Sequence, residues 1–333
     1  MSWRSSFTAA AVIVVATGLA APAVAQAETA EWQATVLPLP TGYPDGLVWL
    51  RGTDGNGHYS GTLQHSGGRL AVVLYDGDQP VVAGAPHGCD SALVSDENSS
   101  GLVVGTAYNC ESSIYDQAFV YQNGTFSLLT PPGEYSQAQV LGVNDRGEIL
   151  AEVSAPDTTM DPATVVWSPF AAAPVVIQDT LEGQYAVDID HDGTVLFTSR
   201  DGPAIWRDGV VTMLPLPDVY TGTMVFGMGG GHVVGSAIST ITAEEVSLYW
   251  PKLTSTPQEL PGPGWAYNVN RSGLAVGKDP ATTWQDGVPA GALPVPEGFS
   301  DVQADGVGDD GTVLGQGGKV NVAPGNPIIW RRG

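Results

Sequence analysis

Ala34-Thr35-Val36-Leu37-Pro38-Leu39-Pro40, near the start of the chain, repeats Val211-Thr212-Met213-Leu214-Pro215-Leu216-Pro217 in its middle. The second copy has a fixed place in a longer pattern, because it follows Trp206 and the turn Asp208-Gly209. The same order of aromatic, turn and β-branched run recurs along the chain and breaks off at the C-terminus, where only three residues follow Trp330. The first copy therefore reads as the missing last strand of the last repeat. A sheet closed in this way leaves no half-blade with unpaired edges, which would otherwise template aggregation.

Working outward, a glycine opens a short β-branched run at Gly57, Gly101, Gly147, Gly193, Gly231, Gly273 and Gly311, with spacings of 44, 46, 46, 38, 42 and 38. A second glycine stands four residues later at Gly61, Gly105, Gly235, Gly277 and Gly315. An aromatic then ends an apolar run at Tyr75, Tyr121, Trp167, Trp206, Trp250, Trp284 and Trp330. Several of these precede Asn-Gly or Asp-Gly, the pairs that supply positive φ to a two-residue hairpin turn. Each repeat thus contains four strands; the third is expected to place them at 139–143, 148–153, 164–167 and 175–177. No segment has helical periodicity. A period near 42 residues with four short strands predicts an all-β, seven-bladed β-propeller whose last blade is completed by the N-terminal strand. The repeat units fall at 46–85, 91–132, 138–178, 185–217, 222–261, 265–296 and 302–333 plus 32–40, within one domain spanning 28–333. The strand-ending tryptophans are expected to pack between blades and carry no ligand role.

The segments Tyr267-Asn268-Val269-Asn270-Arg271-Ser272-Gly273-Leu274-Ala275-Val276-Gly277 and Gln117-Ala118-Phe119-Val120-Tyr121-Gln122-Asn123-Gly124 resemble the HAF-type repeats of extracellular bacterial proteins. The resemblance covers nearly all of residues 32 to 333 and implies secretion and a repeat fold. It brings no catalytic residues with it.

The N-terminus points the same way. Arg4, an apolar run to about Ala21 and Ala25-Gln26-Ala27 before Glu28 have the layout of a secretory signal peptide over 1–27. No later stretch is apolar enough to span a bilayer, so a secreted protein without membrane insertion is expected. Removing Arg4 with the leader leaves 11 basic side chains against 35 acidic ones. Such a charge repels nucleic acid and favours neutral or cationic partners. A monomer is expected.

Among candidate sites, Cys89 and Cys110 flank the Asp96–Gly101 turn, and their midpoint falls within it. Residues placed so face each other across antiparallel strands, and a disulfide is expected in an oxidising compartment. Asp188, Asp190 and Asp192 alternate like the carboxylates of a calcium loop. However, Ser199 stands where such a loop wants its bidentate acid, and a plain turn is the preferred reading, with no cofactor required. No nucleophile elbow, phosphate cradle or metal-ligand spacing emerges, so no catalytic residue is assigned. The linkers leading into the first strand of each blade carry aromatics and acids: Tyr43, Trp49, Tyr135, Tyr185, Tyr220, Trp265 and Phe299, with Asp45, Glu134, Glu182, Asp218 and Glu297. Rings beside carboxylates suit sugars or cations. The expected function is a non-enzymatic binding module for a glycan or cationic polymer; the alternative is a polysaccharide hydrolase or lyase using carboxylates on that face.

Overall fold

Asn-Gly and Asp-Gly pairs set the outer hairpins. Asn123, Asp208 and Asp286 have φ of 50°, 49° and 51°, and the glycine after each is also at positive φ. Two consecutive left-handed residues form the tight turn whose twist matches the flanking strands. Gln122 accordingly pairs with Thr125, Arg207 with Val210 and Gln285 with Val288.

The computed structural model describes residues 31–333 except 66, 112, 114, 134, 156–161, 170–172, 178–180 and 320–324. The leader expected over residues 1 to 27 lies outside the described residues. Within Trp32–Gly333 the strands form seven antiparallel sheets of four, each in chain order except the last. In blade 3 the strands are Gln137–Val143, Ile149–Ser154, Ala163–Trp167 and Val175–Ile177. Blade 7 consists of Phe299–Val307, Val313–Lys319 and Asn326–Arg332, completed by Trp32–Val36 on its outer edge. The register of that closure runs from Trp32 opposite Arg332 to Val36 opposite Ile328. The protein is a seven-bladed β-propeller closed by its N-terminal strand. The innermost strands of blades 2, 5 and 7 begin at Cys89, Tyr220 and Phe299, slightly earlier than the repeat pattern indicates, because linker residues continue the ladder.

The Leu-Pro pairs seen in the sequence fasten one blade to the next. Leu37, Leu214, Leu260 and Leu293 follow their outermost strands and are buried. The proline after each offers its carbonyl to an aromatic of the following blade. Trp250, Trp284 and Trp330 donate from Nε1 to Pro215, Pro261 and Pro294 oxygens, each at 2.9 Å. Tyr75 does the same across the closure, from its hydroxyl to the Pro38 oxygen at 3.1 Å. The indole thus packs its apolar body into the seam and satisfies its one donor there. Trp167 and Trp206 are only half-buried. Leu129-Thr130 and Ile177-Gln178 stand where Leu-Pro stands elsewhere.

The paired cysteines meet as expected. Cys89 lies opposite Cys110 in the ladder of blade 2 and is bonded to it, with Cα atoms 3.9 Å apart.

Candidate functional site

Every innermost strand carries one β-bulge at the same level, with the extra residue being Arg51, Ser95, Leu141, Val187, Phe226, Tyr267 or Asp305. A bulge bends its strand and re-aims the side chains around it. All seven innermost strands, with the turns that follow them, line a cavity of about 320 Å³ on the propeller axis. Six of the seven bulge residues line it; Tyr267 packs behind, against Phe226 at 5.0 Å between rings. Blades 3 to 5 contribute apolar side chains at this level, and blades 7, 1 and 2 contribute Asp305, Arg51 and Ser95.

Above the bulges the lining is acidic. Among the described residues it contains eight carboxylates, Asp54, Asp96, Glu97, Asp145, Asp188, Asp190, Asp305 and Asp309, against Arg51, Arg271 and His191. Several of the acids have partners that hold the ring together. Asp96 Oδ2 accepts from the Val143 amide of the next blade (3.0 Å), Asp188 Oδ2 from Met228 (2.8 Å), and Asn268 Oδ1 from Val307 (3.3 Å). One level higher, Asn98, Asn144 and Asn270 donate from Nδ2 to the carbonyls of Asn144, Asp190 and Gly308. Asp190 instead accepts from the amides of Gly230 and Gly231. Asp192 accepts from the Thr194 amide and pairs with Arg207 at 2.8 Å. The alternating carboxylates of Asp188–Asp192 therefore diverge to separate partners on two blades and their own turn.

Burial shifts the deepest acids. It pushes Asp96 up to about 8, with the charges of Asp188 and Glu97 adding to it and amide hydrogen bonds opposing it. Burial likewise raises Asp188 to about 7, aided by Asp190. Glu97 rises to about 7 through burial and the nearby Asp54. Glu97 is 8% exposed, and a hydrogen bond from the buried Ser60 hydroxyl opposes the rise.

Arg271 spans the mouth. Its guanidinium pairs with Asp309 at 2.6 Å and with Asp145. Asp145 belongs to blade 3 and Arg271 to blade 6, as far apart as a ring of seven allows, so the side chain crosses the axis. Desolvation opposes ionisation of Asp145, yet hydrogen bonds from Ser99 and Arg271 outweigh it and hold its carboxyl below the usual range.

None of the described aromatics and acids named from the linkers lines this cavity. Trp49, Tyr185 and Trp265 stand at one level, opposite Thr62, Thr198 and Lys278, two residues before the bulge of their strand and nearer its linker end. Tyr185 and Trp265 are exposed and Trp49 is half-buried. Tyr43, Tyr135, Tyr220 and Phe299 are half-buried, while Asp45, Glu182, Asp218 and Glu297 are exposed. Tyr220 donates to Glu259 and Glu182 pairs with Arg200. Glu134 lies outside the described residues. Of the channel acids, Asp188 and Asp190 were singled out in the sequence as alternating turn carboxylates and the others were passed over, although a signal exists. Five residues before the anchor glycine, Asp96, Asp188 and Asn268 alternate with Gly52, Gly142 and Gly306.

No family model and no curated protein matches this chain. Solved structures share its fold at low identity. The β-propeller domain of the Trilobed protease from Pyrococcus furiosus is 11% identical, with a TM-score of 0.49 over 71% of this chain and 74% of that one. A structure from a study of two prolyl endopeptidases is 12% identical, with a TM-score of 0.50; the match covers 86% of this chain and 46% of that one. The polysaccharide lyase Uly1 is 10% identical, with a TM-score of 0.49 over 89% and 91% of the two chains. Likeness at this level concerns the fold alone.

Proposed function

We propose that the protein is a secreted, non-enzymatic binding module whose channel mouth takes cationic groups of an extracellular polymer. The observation that carries this reading is Arg271, a guanidinium of the chain itself held across the mouth by carboxylates of blades 3 and 7. It occupies the place that a cationic side chain of a ligand would take. At roughly 30 Å³ per water, 320 Å³ has room for about ten waters. That admits a side chain or a chain end and no larger body. The rings that would favour a glycan stand elsewhere. The hydrolase reading needs free carboxylates, whereas Asp96 and Asp188 are engaged with backbone amides.

The test is titration of tetralysine into wild type and Arg271→Ala. Affinity should fall steeply with salt and rise several-fold in the variant, since the internal competitor is gone. Equal affinity in both proteins would refute a channel site and leave only surface attraction.

A further inference from the structure

The bulges are fastened in pairs, and seven is odd. The residue after each bulge is Gly52, Asp96, Gly142, Asp188, Gly227, Asn268 and Gly306 in blades 1 to 7. In blades 2, 4 and 6 it is an Asx that reaches the next blade and caps an amide there. Those amides belong to Val143, Met228 and Val307 of blades 3, 5 and 7. Gly142 leaves room for one such approach, since a Cβ on it would stand 3.4 Å from Asp96 Oδ2.

Blade 1 is left over. Thr53 occupies the register position of Val143, Met228 and Val307, since it pairs with Tyr59 as they pair with Ile149, Val233 and Val313. The blade before it is blade 7, whose residue at the capping position is Gly306. Among the described residues no side chain accepts from the Thr53 amide, and a Cβ on Gly306 would meet nothing within 4 Å. The boundary of blades 7 and 1 therefore holds open space beside a backbone donor that has its cap at the three equivalent boundaries.

A cation is carried two residues away on the same strand, and both residues line the cavity. Arg51, the bulge residue of blade 1, lines the cavity and makes no hydrogen bond or ion pair among the described residues. Its neighbour at bulge level, Asp305, is taken by Lys278 at 2.9 Å. An exposed guanidinium and an oriented amide form a fork for a carboxylate. A lone anion would be repelled by the acidic mouth, so the group must arrive attached to positive charge.

Building on the cation-binding reading above, we propose that this corner captures the free C-terminal carboxylate of a basic peptide. The terminal carboxylate replaces the missing Asx oxygen on the Thr53 amide and pairs with Arg51. The basic side chains before it meet the carboxylates of the mouth.

The experiment compares Lys-Lys-Lys-Leu as free acid and as C-terminal carboxamide by calorimetry at low salt. The free acid should bind the wild type at least tenfold more tightly. In Gly306→Asn the introduced side chain caps Thr53, as Asn268 caps Val307, and the two peptides should bind alike. Arg51→Gln should also collapse the preference, which keeps the test alive if the first variant misfolds. Acid and carboxamide binding wild type within twofold of each other would overturn this inference while leaving the cationic site standing. Failure of both peptides to bind would overturn both.

Discussion

Leu37→Ala tests whether the ring is closed by the same physics that holds the other blades together. Leu37 is 2% exposed, donates its amide to the Pro327 carbonyl at 2.9 Å and packs with Leu50, Tyr75 and Ile329 between blades 7 and 1. Leu214 is its counterpart in blade 4, 3% exposed, with its amide on the Pro203 carbonyl at the same 2.9 Å. Truncating a buried leucine costs about 2–5 kcal/mol through lost transfer energy and the cavity left behind. Both substitutions should fall in that range. For a domain of this size the melting temperature should drop by about 3–8 °C. Urea unfolding followed by tryptophan fluorescence gives both values, and an unchanged slope would show that the denatured state is unaltered. If Leu37→Ala lies within about 0.5 kcal/mol of wild type while Leu214→Ala does not, the N-terminal strand adds nothing to the closed ring.

Two further outcomes follow from the channel and from blade 2. Asp96, Asp188 and Glu97 have folded-state pKa values raised to about 8, 7 and 7, so between about pH 4 and 8 the folded protein keeps protons that the unfolded chain releases. Stability should therefore decline as pH rises through that window. His58, raised by its hydrogen bond to Asp54, adds to the same slope near neutrality. Asp96→Asn should flatten the decline, because an amide oxygen still caps Val143 as Asn268 caps Val307; a wild-type melting temperature that climbs from pH 5 to 8 would contradict the burial argument. Replacing Cys89 and Cys110 together by Ser should cost ~3 kcal/mol for the loop they close, read as a lower urea midpoint. Two titratable thiols in the unfolded protein, purified without reductant, would show that the bridge does not form.

The fold was legible because propeller blades repeat local chemistry. The Asx-Gly turns, the second glycine four residues past the anchor and the terminal aromatic each answer to a steric demand within one hairpin. Gly105, Gly277 and Gly315 show this: a Cβ there would stand 2.0–2.5 Å from the carbonyl oxygen of the paired inner strand. The closure was legible for the same reason, since Leu37-Pro38 and Leu214-Pro215 do one job in two places.

The site was harder to read because its residues are functional only through their neighbours on other blades. Asp96 resembles any turn residue until Val143 is seen to donate to it, 47 positions along the chain. Arg271 belongs to an ordinary Asx-rich turn until Asp145 faces it from across the ring. Weighing the linker aromatics selected side chains with binding chemistry but had no measure of which end of the strands converges. The bulges decide that. One extra residue per blade, invisible to a period-two pattern, turns the ends of the innermost strands toward the axis and gathers their carboxylates there. Because the alternation of Asx and glycine cannot close on an odd number of blades, the symmetry that builds the channel also leaves one corner of it unfilled. That corner is where Arg51 stands.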